Sequence, residues 1–303
     1  TNKPYAFESR PWELSKTESI DVLDAVGSNI RIDTRGQEVM RILPRLHEDV
    51  NEEWINDKTR HACDGLKRQR LDKPYVRGAD GKLKPANWGE AFAAIARQVK
   101  GLPGDAIAAI AGDLADAESM FALKQLMQIL KSPNIDCRQD GAVYDVSHRA
   151  GYTFNTTISG IEKADAILLV GTNPRLEASL INARIRKRWL RGGLKVAHIG
   201  EQVDLTYPHK YLGTNPLVLD EILQGRHAFC DILKNAKNGI VIVGAAALAR
   251  MDGTFIQYRA RKIAETYNMV REGWNGFNVL QMAASRVAGL DMGFVPSAGG
   301  KST

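Results

Sequence analysis

Residues 161–189 read IEKADAILLVGTNPRLEASLINARIRKRW, and they decide the fold. Ala166 through Val170 (AILLV) is short, wholly apolar and closed by Gly171. That is the pattern of a strand buried on both faces of a parallel sheet. Thr172, Asn173 and Pro174 then make a turn, because proline fixes its own φ and disfavours helical geometry in the residue before it. A helix follows, with Ala178, Ile181, Ile185 and Trp189 recurring at helical spacing. Arg184, Lys187, Arg188 and Arg191 form a separate basic stripe. Strand, tight turn and helix in this order are how open α/β sheets hold a ligand at the carboxyl ends of their strands.

Working outward, strands and helices alternate. Phe92, Ile95, Ala96 and Val99 give a helix face, residues 105–111 a strand, and Met120, Leu123, Met127 and Leu130 another helix before a short segment at 134–137. Beyond the central stretch come strands at 194–199 and 240–243, then helical patterns at 252–267 and 278–290. This alternation predicts an α/β fold built on a doubly wound, mostly parallel sheet. Residues 71–88, with two prolines, two glycines and many charges, mark a boundary. Before it, residues 29–34 and 38–43 alternate in hydropathy around Arg35-Gly36, predicting a small module that contains a β-hairpin. Residues 1–20 carry no periodicity and read as an extended lead-in, and 47–63 as loop and short helix.

Composition narrows the class. With 303 residues, 25% charged and 44% hydrophobic, the chain is globular with ample core. The longest apolar run, 240–249, is too short to span a bilayer, so no membrane insertion is expected. Net charge is +6, but the only dense basic cluster is 184–191, and its Trp189 falls on the apolar stripe. Nucleic acid is therefore not an expected partner, and the stripe reads as a solvated or subunit-contacting face. Cys63, Cys137 and Cys230 are far apart and form no C-x-x-C, which favours a reducing compartment. Thr1 in place of an initiator methionine reads as a processed or truncated chain.

The familiar catalytic arrangements are missing from the sequence. No pair of the six histidines has metal-binding H-x-x-x-H spacing, and there is no G-x-S-x-G elbow or G-x-G-x-x-G. The tail Gly299-Gly300-Lys301-Ser302-Thr303 imitates the end of a P-loop, but Val295 stands where the first glycine belongs, so it reads as a flexible end. Asp113, Asp116 and Glu118 sit at a helix start, where carboxylates suit the dipole. No catalytic, cofactor-binding or metal-binding residue is assigned.

Two motifs carry a resemblance. Gly171-Thr172-Asn173-Pro174, following Ala164-Asp165 and the strand, resembles the G-[ST]-N-P turn of the molybdopterin oxidoreductase superfamily, which lies near the pterin–guanosine cofactor. Pro74-Tyr75-Val76-Arg77, Gly81 and Trp88-Gly89-Glu90-Ala91 resemble the opening of that family's α/β domain. The hairpin and residues 51–60 resemble the small iron–sulfur module that precedes the domain. There the C-x2-C-x3-C-x27-C spacing falls on Asp21, Asp24, Ser28 and Asn56. The spacing is kept and the thiols are gone; oxygen and amide groups are poor ligands for a [4Fe–4S] cluster.

Long stretches, among them KPYAFESRPWELSKTESIDVLDAVGSNIRIDTR and LLVGTNPRLEASLINARIRKRWL, are similar to the family of the largest iron–sulfur subunits of respiratory complex I, in mitochondrial and α-proteobacterial form. The resemblance implies two units. Residues 1–72 would be a degenerate iron–sulfur-type module whose ligands are lost, and 73–303 an incomplete molybdopterin-oxidoreductase-like α/β domain. It further implies a non-catalytic, structural place in the NADH-oxidising arm, with no cofactor in this segment and iron–sulfur clusters in the family's upstream region. Implied partners are the flavin- and NADH-binding subunit, the small [2Fe–2S] subunit and the quinone-side core subunits. The implied location is the matrix side of the mitochondrial inner membrane, or the cytoplasmic face of an α-proteobacterial one. The competing expectation is an active molybdopterin-dependent oxidoreductase, which needs a Cys or Ser metal ligand that no residue here supplies. A third is a nucleotide pocket at the Gly171 turn without chemistry.

Overall fold

A computed structural model describes residues 3–303. Thr1 and Asn2, at the head of the expected lead-in, lie outside the described residues. The first module is a three-stranded antiparallel sheet of β1 (Ser15–Ile20), β2 (Asn29–Arg35) and β3 (Glu38–Pro44), in that order. The hairpin of β2 and β3 forms as expected. The lead-in does not stay irregular: β1 pairs along β2, from Ser15 opposite Thr34 to Ile20 opposite Asn29. It escaped notice because its residues are almost all exposed, leaving no apolar alternation to read. Helix α1 (Asp57–His61) closes the module.

The boundary stretch itself folds into a short hairpin, β4 (Tyr75–Arg77) with β5 (Leu83–Pro85), turning at Gly81 with φ +75°. Next come α2 (Trp88–Val99), β6 (Ala108–Ile110), α3 (Ala117–Ile129) and β7 (Asn134–Asp136). β6 and β7 form a separate parallel pair, so the strand expected over 105–111 shrinks to three residues. α2 is fixed by a capping box between Asn87 and Glu90. Its apolar face, however, meets solvent: Trp88, Phe92 and Ile95 are all more than half exposed.

The rest is one α/β unit. Its elements are β8 (Ala166–Val170), α4 (Pro174–Glu177), α5 (Ser179–Leu190), β9 (Lys195–Ile199), β10 (Lys210–Tyr211), α6 (Val218–Leu223) and α7 (Cys230–Asn235). They continue with β11 (Gly239–Gly244), α8 (Ala245–Leu248), α9 (Gly253–Thr266), β12 (Val270–Arg271), β13 (Trp274–Asn275), β14 (Phe277–Leu280) and α10 (Ser285–Asp291). Five strands make a parallel sheet ordered β10-β9-β8-β11-β14. β8 lies at its centre, and alternate residues feed two cores. Ala166, Leu168 and Val170 pack with Leu219, Ile222, Ile256 and Ile263 on one face. Ile167 and Leu169 pack with Ala178, Ile181 and Ile185 on the other. Helices cover both faces, so the sheet is doubly wound as predicted.

Three expectations are corrected. The helical pattern over 278–290 is a buried strand, β14, followed by α10; an apolar run that short cannot be sorted into strand or helix by periodicity. The tail is not loose: Lys301 N donates to Asn134 Oδ1 at 2.8 Å and Thr303 Oγ1 donates to the Arg138 carbonyl. The basic stripe is not simply a solvated face. Arg184 is only 4% exposed and donates to Glu162 at 2.6 Å and to the Glu48 carbonyl at 2.8 Å. Lys187 and Arg191 also engage Glu162, at 2.9 and 2.7 Å, and Lys187 reaches Glu52 as well. Helix α5 thus holds residues 48–52 of the first module, while Val26 of that module joins the core beneath it.

The carboxyl ends of β8 and β11 meet at glycines. A Cβ on Gly244 would lie 2.4 Å from the Gly171 carbonyl oxygen and 2.7 Å from Thr172 Cβ. Gly244→Ala is therefore expected to cost about 1–3 kcal/mol, read as a lower urea midpoint at unchanged slope.

Candidate functional site

The chain leaves β8 through Gly171, whose φ of +57° an L side chain resists and whose Cβ would sit 2.5 Å from Ala247 Cβ. Pro174 opens α4 as its first residue, and the helix breaks at Ala178 before α5 resumes, where a single helix was expected. From β8 the chain winds outward through β9 and β10, then returns to the opposite side as β11. This reversal leaves a crevice at the strand ends. It is a cleft of about 560 Å³ lined by Gly171, Asn173, Glu177, His198, Gly200 and Arg250, among others.

Its polar side chains are Thr172, Asn173, Glu177, His198, Glu201, Thr214 and Arg250. The half-buried Glu177 carboxylate takes the Asn173 N–H at 2.8 Å and the Thr172 hydroxyl at 2.6 Å. His198, 1% exposed, donates Nε2–H to the Thr172 carbonyl at 3.1 Å. Burial, reinforced by nearby His209, pushes its basicity below the ordinary histidine value. The ring is then neutral at pH 7, with a bare Nδ1. Neither that nitrogen nor Asn173 Oδ1 has a hydrogen-bond partner. Arg250 is held by Asp252 through bonds of 2.7 and 2.9 Å. A pterin dinucleotide brings a pyrophosphate, and the groups that would receive it at the turn already hold a carboxylate. The cleft does not fit that cofactor. No cysteine or serine lines it.

The four positions of the iron–sulfur spacing do come together. Asp21, Asp24 and Ser28 are 3%, 1% and 0% exposed. Asn56 Nδ2 donates to Asp24 Oδ2 at 2.6 Å, Thr59 Oγ1 donates to Asp21 Oδ2 at 2.6 Å, and Asp21 N donates to the Ser28 carbonyl at 2.8 Å. Asn56 also caps α1 through Thr59 N. Burial, with the Asp21 charge adding to it, raises the Asp24 carboxyl above its ordinary value despite the N–H of Val26. The four positions thus form a buried, hydrogen-bonded plug. It offers no thiolate, so a [4Fe–4S] group does not fit. Cys63 lies instead in the module's apolar core with Ile30, Ile42 and Ile55, and burial raises its thiol. Burial pushes the Cys137 thiol up to about 11, and both it and Cys230 pack in the core of the α/β unit. Among the described residues, no group of three or more His, Cys, Asp or Glu side chains is arranged to hold a metal ion.

Sequence reasoning found the turn and the four positions but missed Glu177, His198 and Thr59. The available signals were a carboxylate four residues after Asn173 and a lone polar side chain in the strand KVAHI.

Comparison with known proteins gives two family matches. Residues 70–303 match the molybdopterin oxidoreductase family, and residues 14–64 match the NADH-ubiquinone oxidoreductase NDSU1/NuoG-like 4Fe-4S domain. The chain is 53% identical to the mitochondrial NADH dehydrogenase (ubiquinone) iron-sulfur protein 1 of Solanum tuberosum, over 98% of this chain and 40% of the relative. It is 50% identical to the mitochondrial NADH-ubiquinone oxidoreductase 78 kDa subunit of Neurospora crassa, over 98% and 41% respectively. For an NADH-quinone oxidoreductase chain of Rickettsia bellii the identity is 49%, over 98% and 44%. The chain thus spans roughly two fifths of the length of these relatives.

Proposed function

Because the chain belongs to the molybdopterin oxidoreductase family, we propose that it is a scaffold whose own redox sites have been filled in. The assembly it serves is the NADH-oxidising arm of respiratory complex I, which passes electrons from NADH to ubiquinone. The observation that carries this reading is the plug of Asp21, Asp24, Ser28 and Asn56: four oxygen or amide side chains stand at the cluster-motif spacing, and hydrogen bonds tie Asp24 to Asn56 and Asp21 to Thr59. Identities near 50% to an NADH dehydrogenase iron-sulfur protein and to NADH-ubiquinone and NADH-quinone oxidoreductase subunits support that choice of assembly.

On this reading residues 1–72 and 73–303 are two units clamped by Arg184, and none of their side chains is catalytic, cofactor-binding or metal-binding. The partners are the flavin- and NADH-binding subunit, the small [2Fe–2S] subunit and the quinone-side core subunits. Trp88, Phe92 and Ile95, presented on one face of α2, support a protein-contacting role. No described helix is long and apolar enough to cross a membrane. The chain then reaches the inner membrane, on its matrix side, through its partners.

The test is native electrophoresis of membranes carrying an epitope-tagged chain, stained for NADH oxidation. The tag should migrate with the NADH-oxidising band; a tag running only as free chain would overturn the reading.

A further inference from the structure

We propose that residues 67–84, the boundary stretch with its hairpin, dock an acidic surface of another protein. The inference rests on the reading of the chain as part of a protein assembly, and adds the chemistry of one contact. The net charge of +6 is not spread evenly. Residues 67–84 hold seven basic side chains and two acidic ones, a net +5, which leaves +1 for the remainder of the chain. The denser cluster on α5 is largely answered within the chain, since Arg184, Lys187 and Arg191 all meet Glu162. The boundary is answered only in part. Lys67 pairs with Glu38, Lys73 with Asp72 and Lys84 with Asp80. Arg68, Arg70, Arg77 and Lys82 are exposed and form no ion pair among the described residues.

Register gives the hairpin a defined face. Tyr75 lies opposite Pro85 and Arg77 opposite Leu83, so these four exposed side chains share one side, while Val76 and Lys84 share the other. Leu71 is exposed on the approach, and Trp88 and Phe92 of α2 are exposed just beyond. An apolar centre with a charged rim is the anatomy of a protein interface, and the unpaired cations specify carboxylates on the partner. Leu71, Leu83 and Pro85 give a nucleic acid neither a phosphate contact nor a ring to stack on. The charged segment is built on three-residue strands, not on the amphipathic helix that lies in a lipid interface. Both considerations favour a protein partner.

The test is zero-length carbodiimide cross-linking, which joins an amine to a carboxylate only where the two touch. It is applied to the epitope-tagged chain in detergent-solubilised, nuclease-treated NADH-oxidising complexes. Lys73, Lys82 or Lys84 should yield amide links to Asp or Glu of another polypeptide, read by mass spectrometry. The combined reversal Arg68→Glu, Arg70→Glu and Lys82→Glu should deplete the tag from the NADH-oxidising band by about tenfold. It should leave the melting temperature of the isolated chain unchanged, because these side chains form no ion pair in the fold. A matched reversal of Lys131→Glu, Lys163→Glu and Arg226→Glu, at exposed positions elsewhere, should leave the tag in the band. A tag that never enters the band would overturn both readings. A tag that enters it without such links, or that is unaffected by the boundary reversal, overturns this one alone. So does saturable binding of the isolated chain to phosphatidylglycerol vesicles or transfer RNA that the boundary reversal abolishes, since the partner is then a polyanion and not a protein.

Discussion

Arg184→Met is expected to destabilise the folded chain by about 3–5 kcal/mol, the range for removing one member of a buried ion pair. The guanidinium is buried and forks between Glu162 and the carbonyls of Glu48 and Val50. Methionine matches its length but leaves those carbonyls without a donor and the junction between module and domain without its clamp. Arg184→Lys should recover only part of the loss, because one ammonium cannot reproduce the planar fork. Chemical denaturation followed by far-ultraviolet circular dichroism measures each.

The same cluster sets an acid limit. Burial alone would raise the Glu162 carboxyl, but hydrogen bonds from Lys187 and Arg184, with Arg191 beside them, outweigh it and bring it down from 4.5 to about 2. A carboxylate whose value is depressed on folding contributes fully above its unfolded value. It loses that contribution as pH falls through the folded one. Stability from Glu162 is therefore expected to fade between about pH 4.5 and about pH 2. Glu162→Gln should flatten that limb of the curve.

The second large effect is gain of a cluster. A variant combining Asp21→Cys, Asp24→Cys, Ser28→Cys and Asn56→Cys should take up about four irons on anaerobic reconstitution and show the visible absorbance of sulfur-to-iron charge transfer. The unmodified chain, treated identically, should show none. The variant gives up the Asn56 cap of α1, at about 1 kcal/mol, and the bonds to Asp21 and Asp24. It should melt lower before iron is added and regain stability with it. A folded quadruple variant that takes no iron would falsify the view that this loop is a cluster site with its ligands replaced.

How much of this was legible follows from where each signal lives. The five residues of β8 were unmistakable because both faces are buried, which leaves an apolar run and a glycine. β14 is buried in the same way but shorter, and the helix-period residues after it drew it into a helix. β1 gave no signal, since an exposed edge strand needs no apolar residues. The α2 periodicity was real, yet periodicity reports an apolar face and not what covers it. Arg184 shows the limit most plainly. Its place in a basic stripe is sequence, but the carboxylate it meets lies 22 residues away and the carbonyls more than 130 residues away. Charge counting treats such a residue as exposed. At the cleft the turn was readable from Gly171 and Pro174, whereas the role of Glu177 depended on how α4 curls back over that turn.

The most direct test of a scaffold with filled-in redox sites is elemental analysis of the purified chain for iron and molybdenum. Neither metal above trace is the expected result. Stoichiometric iron would mean that Asp21, Asp24, Ser28 and Asn56 hold a cluster after all. Stoichiometric molybdenum would mean that the cleft accepts the cofactor its geometry argues against, and the structural account would give way to an enzyme.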